Sequence, residues 1–526
     1  MTDPSAVEIV TVSAKAGVSA IQVEMQGVDI IADADRKGKP SSLFWPWFAA
    51  NVSVFGLSYG AWVLGFGISF AQATVVGIVG IVFSFFLCGV VAVAGKRGSA
   101  PTMVLSRAAL GVRGNRVASV LSWILTVGWE TILTALAVMA TATIFKELGW
   151  GEGVGVQVVA LVVVAALIVA GGVIGFDLIM KMQTVITWVT GVLTIGYIAL
   201  TLGHIDFEAV AAWPHGSAQN FIGALVCMMT GFGLGWINMA ADYSRYLPRR
   251  SSGGGVIWWT TFGASVAPVV LIVAGLALAA SDQNLFDEIG ANPVGALTTI
   301  LPVWYLIPFG LVAILGLVGG ALLDIYSSGL ALISAGLPVP RPVAAGIDGV
   351  IMILGTVYIV FGVSSFFDVF QGFLITLGVP IAAWAGIMLA DVMMRRRDYD
   401  EADLFDPRGR YGSVPAVPLT LIVVGSVLGW GLVTNGYASW LTWQGYLLGP
   451  LGGKDGAWAG ANLGVLVALA LGFVGTLVLR RGAVRAQEAA PPSPVAEAVV
   501  EVVAVEVAAD DVPPAAAPAS RGEDQP

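Results

Sequence analysis

The chain has too little charge for a soluble protein of its length. Only 11% of its 526 residues are Asp, Glu, Lys or Arg, whereas 57% are hydrophobic. A soluble domain carries about 25% charged residues, because its surface must be wetted. The composition therefore excludes a water-soluble globule of this size and indicates a protein embedded in a lipid bilayer.

Cysteine and histidine are scarce, since the sequence contains two of each. Cys88 and Cys227 lie in apolar runs without a CxxC pair or Cys/His cluster, which argues against disulfides and a zinc site. HExxH, GxSxG and paired-carboxylate arrangements are also missing, so we expect no metal and no cofactor, and a membrane-embedded enzyme is the least favoured alternative. No basic patch interleaved with aromatics argues for nucleic acid as a partner.

Long apolar runs are what the sequence has in abundance. About 20 apolar residues cross the hydrocarbon core as a helix, and lipid cannot satisfy a free backbone amide. No signal-peptide segment precedes the first run, so we expect this run to be a retained span. The runs predict twelve transmembrane helices, spans 1 to 12, at residues 44–68, 73–95, 116–145, 153–175, 178–202, 219–240, 256–280, 302–335, 343–363, 365–394, 415–437 and 459–480.

The positions of the basic residues test this count. If the spans alternate and the N-terminus lies inside, all of the 25 Lys and Arg residues except Lys146 and Lys454 fall on the inner side. One miscounted span early in the chain would scramble this separation. We therefore expect a multi-pass protein of the inner (cytoplasmic) cell membrane with both termini in the cytoplasm.

The two ends of the chain differ in composition from the spans. Residues 1–43 predict a cytoplasmic N-terminal tail. Residues 486–526 are rich in Ala, Pro, Val and Glu and lack aromatics, which predicts a disordered acidic cytoplasmic tail. The net charge of -9 therefore describes the tails rather than the membrane-embedded part.

Glycines cluster in spans 1 and 6, which lie five spans apart and therefore cross the membrane in opposite directions. In transporters built from inverted repeats, broken helices at such corresponding positions face a site at the middle of the membrane. Close helix packing through small residues is the alternative explanation. The glycines concerned are Gly56, Gly60, Gly65 and Gly67 in span 1 and Gly231, Gly233 and Gly235 in span 6.

Two acidic residues lie well inside predicted spans, namely Glu130 in span 3 and Asp324 in span 8. Charges at that depth are costly and usually face a cavity or a partner. Burial favours the neutral carboxyl group, so each residue is a candidate for exchanging a proton. A permanently protonated acid that is hydrogen-bonded within the bundle is the alternative.

Aromatic and polar residues of spans 3 and 6 suggest a pocket for a flat ligand. Thr126, Trp129 and Glu130 are spaced i, i+3 and i+4, which places them on one side of a helix. Trp236 follows the glycines of span 6. Two indole rings and a few polar groups suit a flat heteroaromatic molecule. Alternatively, these are two of 17 tryptophans that mostly anchor helices at the membrane surface.

Several motifs occur in a fixed order: residues 95–114 after span 2, Val-Gly-Trp at 127–129, Ala-Asp-Tyr-Ser-Arg-Tyr-Leu-Pro at 241–248, the loosely matching 324–330, and 389–399 at the end of span 10. Together they resemble the nucleobase:cation symporter family, specifically its purine–cytosine permease branch. The resemblance covers about residues 44–480. It implies an all-α, LeuT-like fold with five-plus-five inverted repeats, at 44–202 and 219–394, followed by two additional helices at 415–480.

The resemblance also implies a nucleobase site between spans 1, 3, 6 and 8. Trp129 matches the tryptophan that stacks on the base, and Asp324 falls where fungal members carry a base-contacting asparagine. The segment from Ser53 to Gly60 matches an unwound part of span 1. The predicted substrate-binding residues are Ser53, Gly56, Thr126, Trp129, Gly235, Trp236 and Asp324, and the predicted cation-coupling residues are Asp324 and Glu130.

Departures from the family pattern bear on the ligand and the cation. Leu133 stands where several members place an amide that reads the base edge. Span 8 has no Ser or Thr from Tyr305 through Asp324, although sodium-coupled relatives use hydroxyls there. We therefore predict alternating-access import of a cytosine- or purine-like heterocycle with a proton rather than sodium. The alternatives are transport of allantoin, a hydantoin, a vitamin or an amino acid, and a receptor without flux.

Overall fold

The computed structural model describes residues 27–363 and 365–491, and every regular element in these ranges is a helix. Each predicted span coincides with helical chain. The corresponding helices are Phe44–Asn51 with Phe55–Leu64, Phe70–Gly98, Arg116–Glu147, Val154–Ile174, Phe176–Thr201, Ala218–Gly231 with Ala240–Ser244, Gly253–Ser281, Leu306–Ser334, Arg341–Gly362, Phe366–Met394, Ala416–Gly431 and Leu463–Leu479.

Span 11 differs from the prediction in length. Within the described ranges, nine helices are long and apolar enough to cross a membrane, or eleven if each bent pair counts once. The helix of span 11, Ala416–Gly431, has 16 residues and is excluded from that number. Its length is about 24 Å, which is less than the roughly 30 Å of the hydrocarbon core. The chain after it contains short 3₁₀ turns, and between them Gly445 N donates a hydrogen bond back to Trp430 O at the end of span 11.

The spans form two groups according to their contacts. Span 7 packs along span 2 and along both halves of span 1, and span 6 packs along span 2. Spans 4, 8 and 9 pack around span 3. Span 5 contacts spans 1 and 8, while span 10 supports spans 11 and 12. The predicted ligand site therefore lies where the group of spans 1, 2, 6 and 7 meets the group of spans 3, 4, 8 and 9.

Spans 1 and 6 are both interrupted. The two halves of span 1 meet at an angle of 68°, and Val52 to Val54 separate them. In span 6 the helix Ala218–Gly231 ends at Phe232, whose φ of -118° and ψ of -111° are not helical. Short helical segments continue from there to Ser244. The glycine pattern thus coincides with two broken helices.

Glycine packing, the alternative explanation, also applies to part of the pattern. Gly60 lies against span 7, where a Cβ would stand 2.3 Å from the backbone nitrogen of Leu276. Gly233 lies against span 2, where a Cβ would stand 2.1 Å from the carbonyl carbon of Ser84. No side chain larger than hydrogen fits at either position, so these glycines permit backbone contact between helices.

The predicted start of the C-terminal tail at residue 486 is wrong, because a helix covers Arg481–Ala489. This helix bends by 56° away from span 12. Gln487 holds it in place by accepting a hydrogen bond of 2.6 Å from the buried Arg395. The remainder of the predicted C-terminal tail, residues 492–526, and residues 1–26 of the N-terminal tail lie outside the described ranges.

Arginines gather at the end of the bundle that carries this helix, and we call it the arginine-rich end. It includes part of the N-terminal segment, where Arg36 donates a 3.0 Å hydrogen bond to Leu247 O. It also includes the connection between spans 10 and 11, where Arg410 pairs with Asp400 at 2.7 Å and with Asp403 at 2.6 Å. This end is tied together by side chains from segments far apart in the sequence.

Candidate functional site

All of the predicted substrate-binding and cation-coupling residues are buried within the bundle. Trp129 is 7% exposed, Trp236 is 9% exposed and Asp324 is 1% exposed. None of them is among the large side chains that face the surrounding lipid. Their surroundings inside the bundle therefore decide what each one can do.

Trp129 lies directly against the interruption in span 6. A Cβ on Gly235 would stand 3.2 Å from its indole Nε1. Its ring meets Phe370 and Phe373 of span 10 edge-on, with centroid separations of 5.6 and 6.1 Å. The buried Nε1–H has no acceptor among the described residues. An unpaired buried donor is costly, so this N–H is available to an acceptor on a ligand.

Trp236 contacts a different ring directly. It meets Trp47 of span 1 edge-on, with centroids 5.9 Å apart. Trp47 in turn packs against Tyr243, at 5.5 Å. The two predicted stacking tryptophans therefore contact different rings directly, Trp129 those of span 10 and Trp236 that of span 1. Intervening rings join these contacts into one aromatic cluster.

Three of the predicted substrate-binding residues direct their groups toward the protein itself. The hydroxyl of Thr126 donates to Ser122 O of its own helix at 2.9 Å. The hydroxyl of Ser53 accepts from Phe55 N at 3.4 Å, which helps to begin the second half of span 1. Gly56 faces Leu271 of span 7. These positions shape the breaks more directly than they offer hydrogen bonds to a ligand.

Glu130 lies in a carboxyl cluster that spans 3, 8 and 9 share. It is fully buried, and neither of its oxygens has a partner among the described residues. It interacts electrostatically with Asp348 and with Asp324, whose Oδ2 is also unpartnered. Ser328 lies beside Glu130 and donates a 2.8 Å hydrogen bond to Asp348 Oδ2. We call Glu130, Asp324, Ser328 and Asp348 the carboxyl cluster.

Asp348 falls near the start of predicted span 9, at 343–363, and it was not predicted as a site residue. The helix begins at Arg341, so Asp348 lies about 10 Å along it and is completely buried. Trp123 Nε1 of span 3 donates a 2.7 Å hydrogen bond to Asp348 Oδ1. An acidic residue seven positions after the start of the helix was the available signal. The predicted start at residue 343 placed Asp348 nearer the membrane surface than it is.

Two polar residues after the interruption in span 6 were also missed. Asn238 donates a 2.8 Å hydrogen bond to Ser122 Oγ, while its own Oδ1 has no partner among the described residues. The hydroxyl of Tyr243 lies 3.4 Å from Ser327 Oγ and interacts with Asp324. The broken part of span 6 therefore brings an amide toward span 3 and a phenol toward span 8.

Span 8 meets the broken part of span 1 through glycines. A Cβ on Gly316 would stand 3.0 Å from Val52 O, and one on Gly319 would stand 3.4 Å from Ala49 O. Gln183 of span 5 reaches the same place and donates a 2.6 Å hydrogen bond to Gly319 O. Span 8 thus presents glycine, rather than hydroxyl groups, to these carbonyls of span 1.

No group of three or more His, Cys, Asp or Glu residues in the described ranges is arranged to hold a metal ion. This includes the carboxyl cluster, whose acids interact without forming a common ligand set. The cluster also lacks an ion pair with any described Lys or Arg. Its chemistry is therefore that of neutral or exchangeable carboxyl groups.

Proteins of known fold share the architecture. The chain superimposes on Mhp1, a nucleobase-cation-symport-1 family transporter solved in a closed conformation with bromovinylhydantoin bound, with a TM-score of 0.65 at 18% identity, over 91% of this chain and 99% of that one. It also matches a Na+-coupled sialic acid symporter, with a TM-score of 0.53 at 11% identity, over 85% and 91% of the two chains. These matches confirm the predicted LeuT-like fold.

Sequence comparisons agree. A putative purine-cytosine permease of Bacillus subtilis, YxlA, is 24% identical over 450 residues, which is 83% of this chain and 93% of the relative. The purine-cytosine permease FCY21 of Saccharomyces cerevisiae is 26% identical over 301 residues, 54% of this chain and 53% of the relative. The model of the family described as permeases for cytosine/purines, uracil, thiamine and allantoin matches residues 30–449. The chain therefore belongs to this family, whose members are membrane transporters rather than enzymes.

Proposed function

We propose that the protein imports a cytosine- or purine-like flat heterocycle in symport with a proton, by alternating access. One observation carries the proposal: Trp129 and Glu130 are adjacent in span 3, both are buried, and both have unpartnered polar atoms. The indole offers a flat surface and a free donor beside the break in span 6. The neighbouring carboxyl group offers a place for a proton within the same turn of helix.

The proposed ligand contacts are Trp129 for stacking and Asn238 and Asp324 for polar recognition. Trp129 Nε1, Asn238 Oδ1 and Asp324 Oδ2 are buried polar atoms without partners among the described residues. They comprise one donor, one acceptor and one oxygen that becomes a donor when it is protonated. The base edges of nucleobases carry both donors and acceptors, so this set suits them better than it suits an apolar solute.

The proposed cation is a proton. A protonated Glu130 can donate to Ser328, whose hydroxyl already donates to Asp348 at 2.8 Å. Protonation would thereby satisfy an otherwise unpaired buried acid. Sodium requires several well-placed oxygen ligands, whereas the contact between spans 1 and 8 is filled by Gly316, Gly319 and the amide of Gln183. This arrangement favours proton coupling through Glu130 and Asp324.

We propose that the bundle of spans 1, 2, 6 and 7 rocks against the group of spans 3, 4, 8 and 9, and that residues 44–202 and 219–394 are the two inverted repeats. Trp129 and Glu130 belong to one group, whereas Gly235 and Asn238 belong to the other, so motion between the groups opens and closes the site. We place the protein in the inner membrane with the arginine-rich end in the cytoplasm, following the positive-inside rule.

The second candidate function is transport of a different flat solute, such as allantoin or a hydantoin, by the same mechanism. Leu133 favours it, because this buried position of span 3 offers no hydrogen bond to a base edge. The solved Mhp1 structure holds a hydantoin derivative, which is also a flat heterocycle. A vitamin or an amino acid would make less use of the stacking surface of Trp129.

Uptake into liposomes containing the purified full-length chain tests the proposal. Radiolabelled cytosine, hypoxanthine and uracil are supplied under an imposed proton gradient or an imposed sodium gradient, and unlabelled allantoin and hydantoin are used as competitors. Concentrative uptake of a base under the proton gradient alone is the expected result. Uptake driven by sodium alone would overturn the choice of cation. Competition only by allantoin or hydantoin would favour the second candidate, and no uptake of any heterocycle would overturn both.

A further inference from the structure

A cavity of about 760 Å³ lies at the arginine-rich end, between the end of span 10 and the helix Arg481–Ala489. It is remote from Trp129 and the carboxyl cluster, and the transport mechanism makes no use of it. Four arginines line it, two on each wall: Arg396 and Arg397 follow span 10, and Arg481 and Arg485 belong to the helix. The cavity therefore concentrates positive charge between two elements that are distant in sequence.

The charges in this cavity are largely uncompensated. The side chains of Arg396, Arg481 and Arg485 have neither an ion pair nor a hydrogen bond among the described residues. Glu488 also lines the cavity, and its Oε1 accepts the backbone N–H groups of Arg396 and Arg397, at 2.6 and 2.8 Å, so three positive charges remain in excess. Several guanidinium groups thus face one cavity with donors to spare, although elsewhere at this end arginines such as Arg410 are paired.

The cavity opens at the boundary between lipid and water. Met393 and Leu477 line one part of it, and both belong to the last turns of membrane-spanning helices. Met393 is 62% exposed, and Leu479 at the end of span 12 is 60% exposed, as expected for side chains that face acyl chains. The 56° bend after span 12 turns Arg481 and Arg485, spaced i and i+4, along one face of the following helix. Apolar and cationic walls therefore adjoin each other.

We propose that this cavity binds the phosphate headgroup of an anionic phospholipid. Guanidinium groups bind phosphate oxygens through paired hydrogen bonds, and basic pockets at the ends of transmembrane helices suit such headgroups. The acyl chains would lie over Met393 and Leu477. The bound lipid would neutralise the two walls and fasten the helix Arg481–Ala489 to the end of span 10. This inference does not depend on which solute the protein carries.

Native mass spectrometry of the purified full-length chain in detergent tests the proposal. Phosphatidylglycerol and phosphatidylcholine with identical acyl chains are titrated separately, and the retained adducts are counted. We expect phosphatidylglycerol to bind at least about tenfold more tightly than phosphatidylcholine. In the double variant Arg481→Gln, Arg485→Gln, its affinity should fall about 30-fold, which corresponds to about 1 kcal/mol for each arginine removed.

A matched control separates a specific site from general attraction to a basic surface. The double variant Arg113→Gln, Arg408→Gln removes the same charge from exposed positions at the same end of the bundle, outside the cavity. It should keep the affinity of the unmodified chain. If both double variants lose phosphatidylglycerol equally, or if the two lipids bind equally, the proposal is wrong.

Two further arms complete the test. Arg396→Gln changes the opposite wall without altering the helix, and it should weaken binding even if the double variant of the helix does not fold. Inorganic phosphate is added as a competitor without acyl chains. If phosphate displaces phosphatidylglycerol at equal concentration, the cavity is a site for soluble anions, and the assignment to a lipid is overturned.

Discussion

Among the described residues, buried acids at the arginine-rich end form ion pairs, whereas those at the middle of the bundle do not. Asp391 forms two hydrogen bonds with Arg395, at 2.6 and 2.9 Å, and Asp403 pairs with Arg410. Glu130 and Asp324, by contrast, are buried without an ion pair among the described residues. Removing one partner of a buried pair leaves an uncompensated charge and is destabilising, whereas an unpaired acid at membrane depth is costly unless it is neutral. We therefore expect substitutions of the paired acids to change stability, and substitutions of Glu130 and Asp324 to change transport.

The largest expected effect comes from breaking a pair at the arginine-rich end. In Asp391→Asn the buried Arg395 loses its counter-ion, and removal of one partner of a buried pair costs about 3–5 kcal/mol. We expect a large fall in the thermal midpoint of the purified protein. Asp406→Asn is the control, because Asp406 lies 3.9 Å from an exposed Arg408. If both variants unfold at the same temperature, the buried pair does not support the structure.

The next effect concerns the ring beside the carboxyl cluster. Trp129→Ala should raise the KM for the transported heterocycle by about 10- to 100-fold, because base–aromatic stacking contributes about 1–3 kcal/mol. Trp188→Ala is the matched control, since Trp188 is 62% exposed on the outer surface of span 5. Uptake kinetics in liposomes provide the measurement. An unchanged KM for Trp129→Ala would remove the stacking role.

The variant Glu130→Gln should change stability only slightly, but it should largely abolish the coupling of uptake to the proton gradient. The amide keeps the size of the neutral acid, so we expect the free energy of unfolding to change by less than about 1 kcal/mol. Uptake should then respond little to an imposed pH gradient, while downhill exchange of the heterocycle continues. Full dependence on the gradient in this variant would show that Glu130 is not a coupling residue.

Asp324→Asn distinguishes coupling from ligand recognition in the same cluster. The amide supplies permanently the donor that a protonated Asp324 would supply. We expect binding that no longer requires a low pH, together with weaker accumulation of the heterocycle under a proton gradient. Measurements of binding at several pH values, alongside uptake, test this. If uptake keeps its full dependence on the pH gradient, Asp324 has no part in coupling.

The smallest effect at neutral pH belongs to Tyr411, in the connection between spans 10 and 11. Burial raises its pKa to about 12, above the usual value of 10. Because the folded state holds this proton more tightly, its contribution is complete below pH 10 and is lost as the pH rises toward 12. Tyr411→Phe should flatten the alkaline decline of the thermal midpoint, measured from pH 9 to pH 12. An equally steep decline in the variant would assign it to other groups.

The sequence predicted the spans and the helix breaks well, because both depend on the local composition of the chain. Long apolar runs located the spans, and clustered glycines coincided with the breaks at Val52–Val54 and Phe232. The start of the C-terminal tail was wrong because Ala and Glu favour a helix as well as a solvated chain. The contact between Arg395 and Gln487 that settles the matter joins residues 92 positions apart.

The site was predicted less completely, for a physical reason. Burial of Trp129, Glu130 and Asp324 followed from their positions inside apolar runs. The proximity of Glu130 to Asp348 and Ser328 depends on how spans 3, 8 and 9 pack together, which periodicity does not encode. Thr126, by contrast, was predicted to bind the substrate, but its hydroxyl donates a hydrogen bond to Ser122 O of its own helix.

The glycine surface of span 8 has a mechanical consequence. Gly316 and Gly319 place the backbone of span 8 directly against the carbonyl groups of Val52 and Ala49. Interdigitated side chains must separate before two helices can shift past each other, whereas a contact between two backbones has no interdigitated side chains to separate. At Gly316, span 8 and the broken part of span 1 can therefore shift past each other without first separating interlocked side chains.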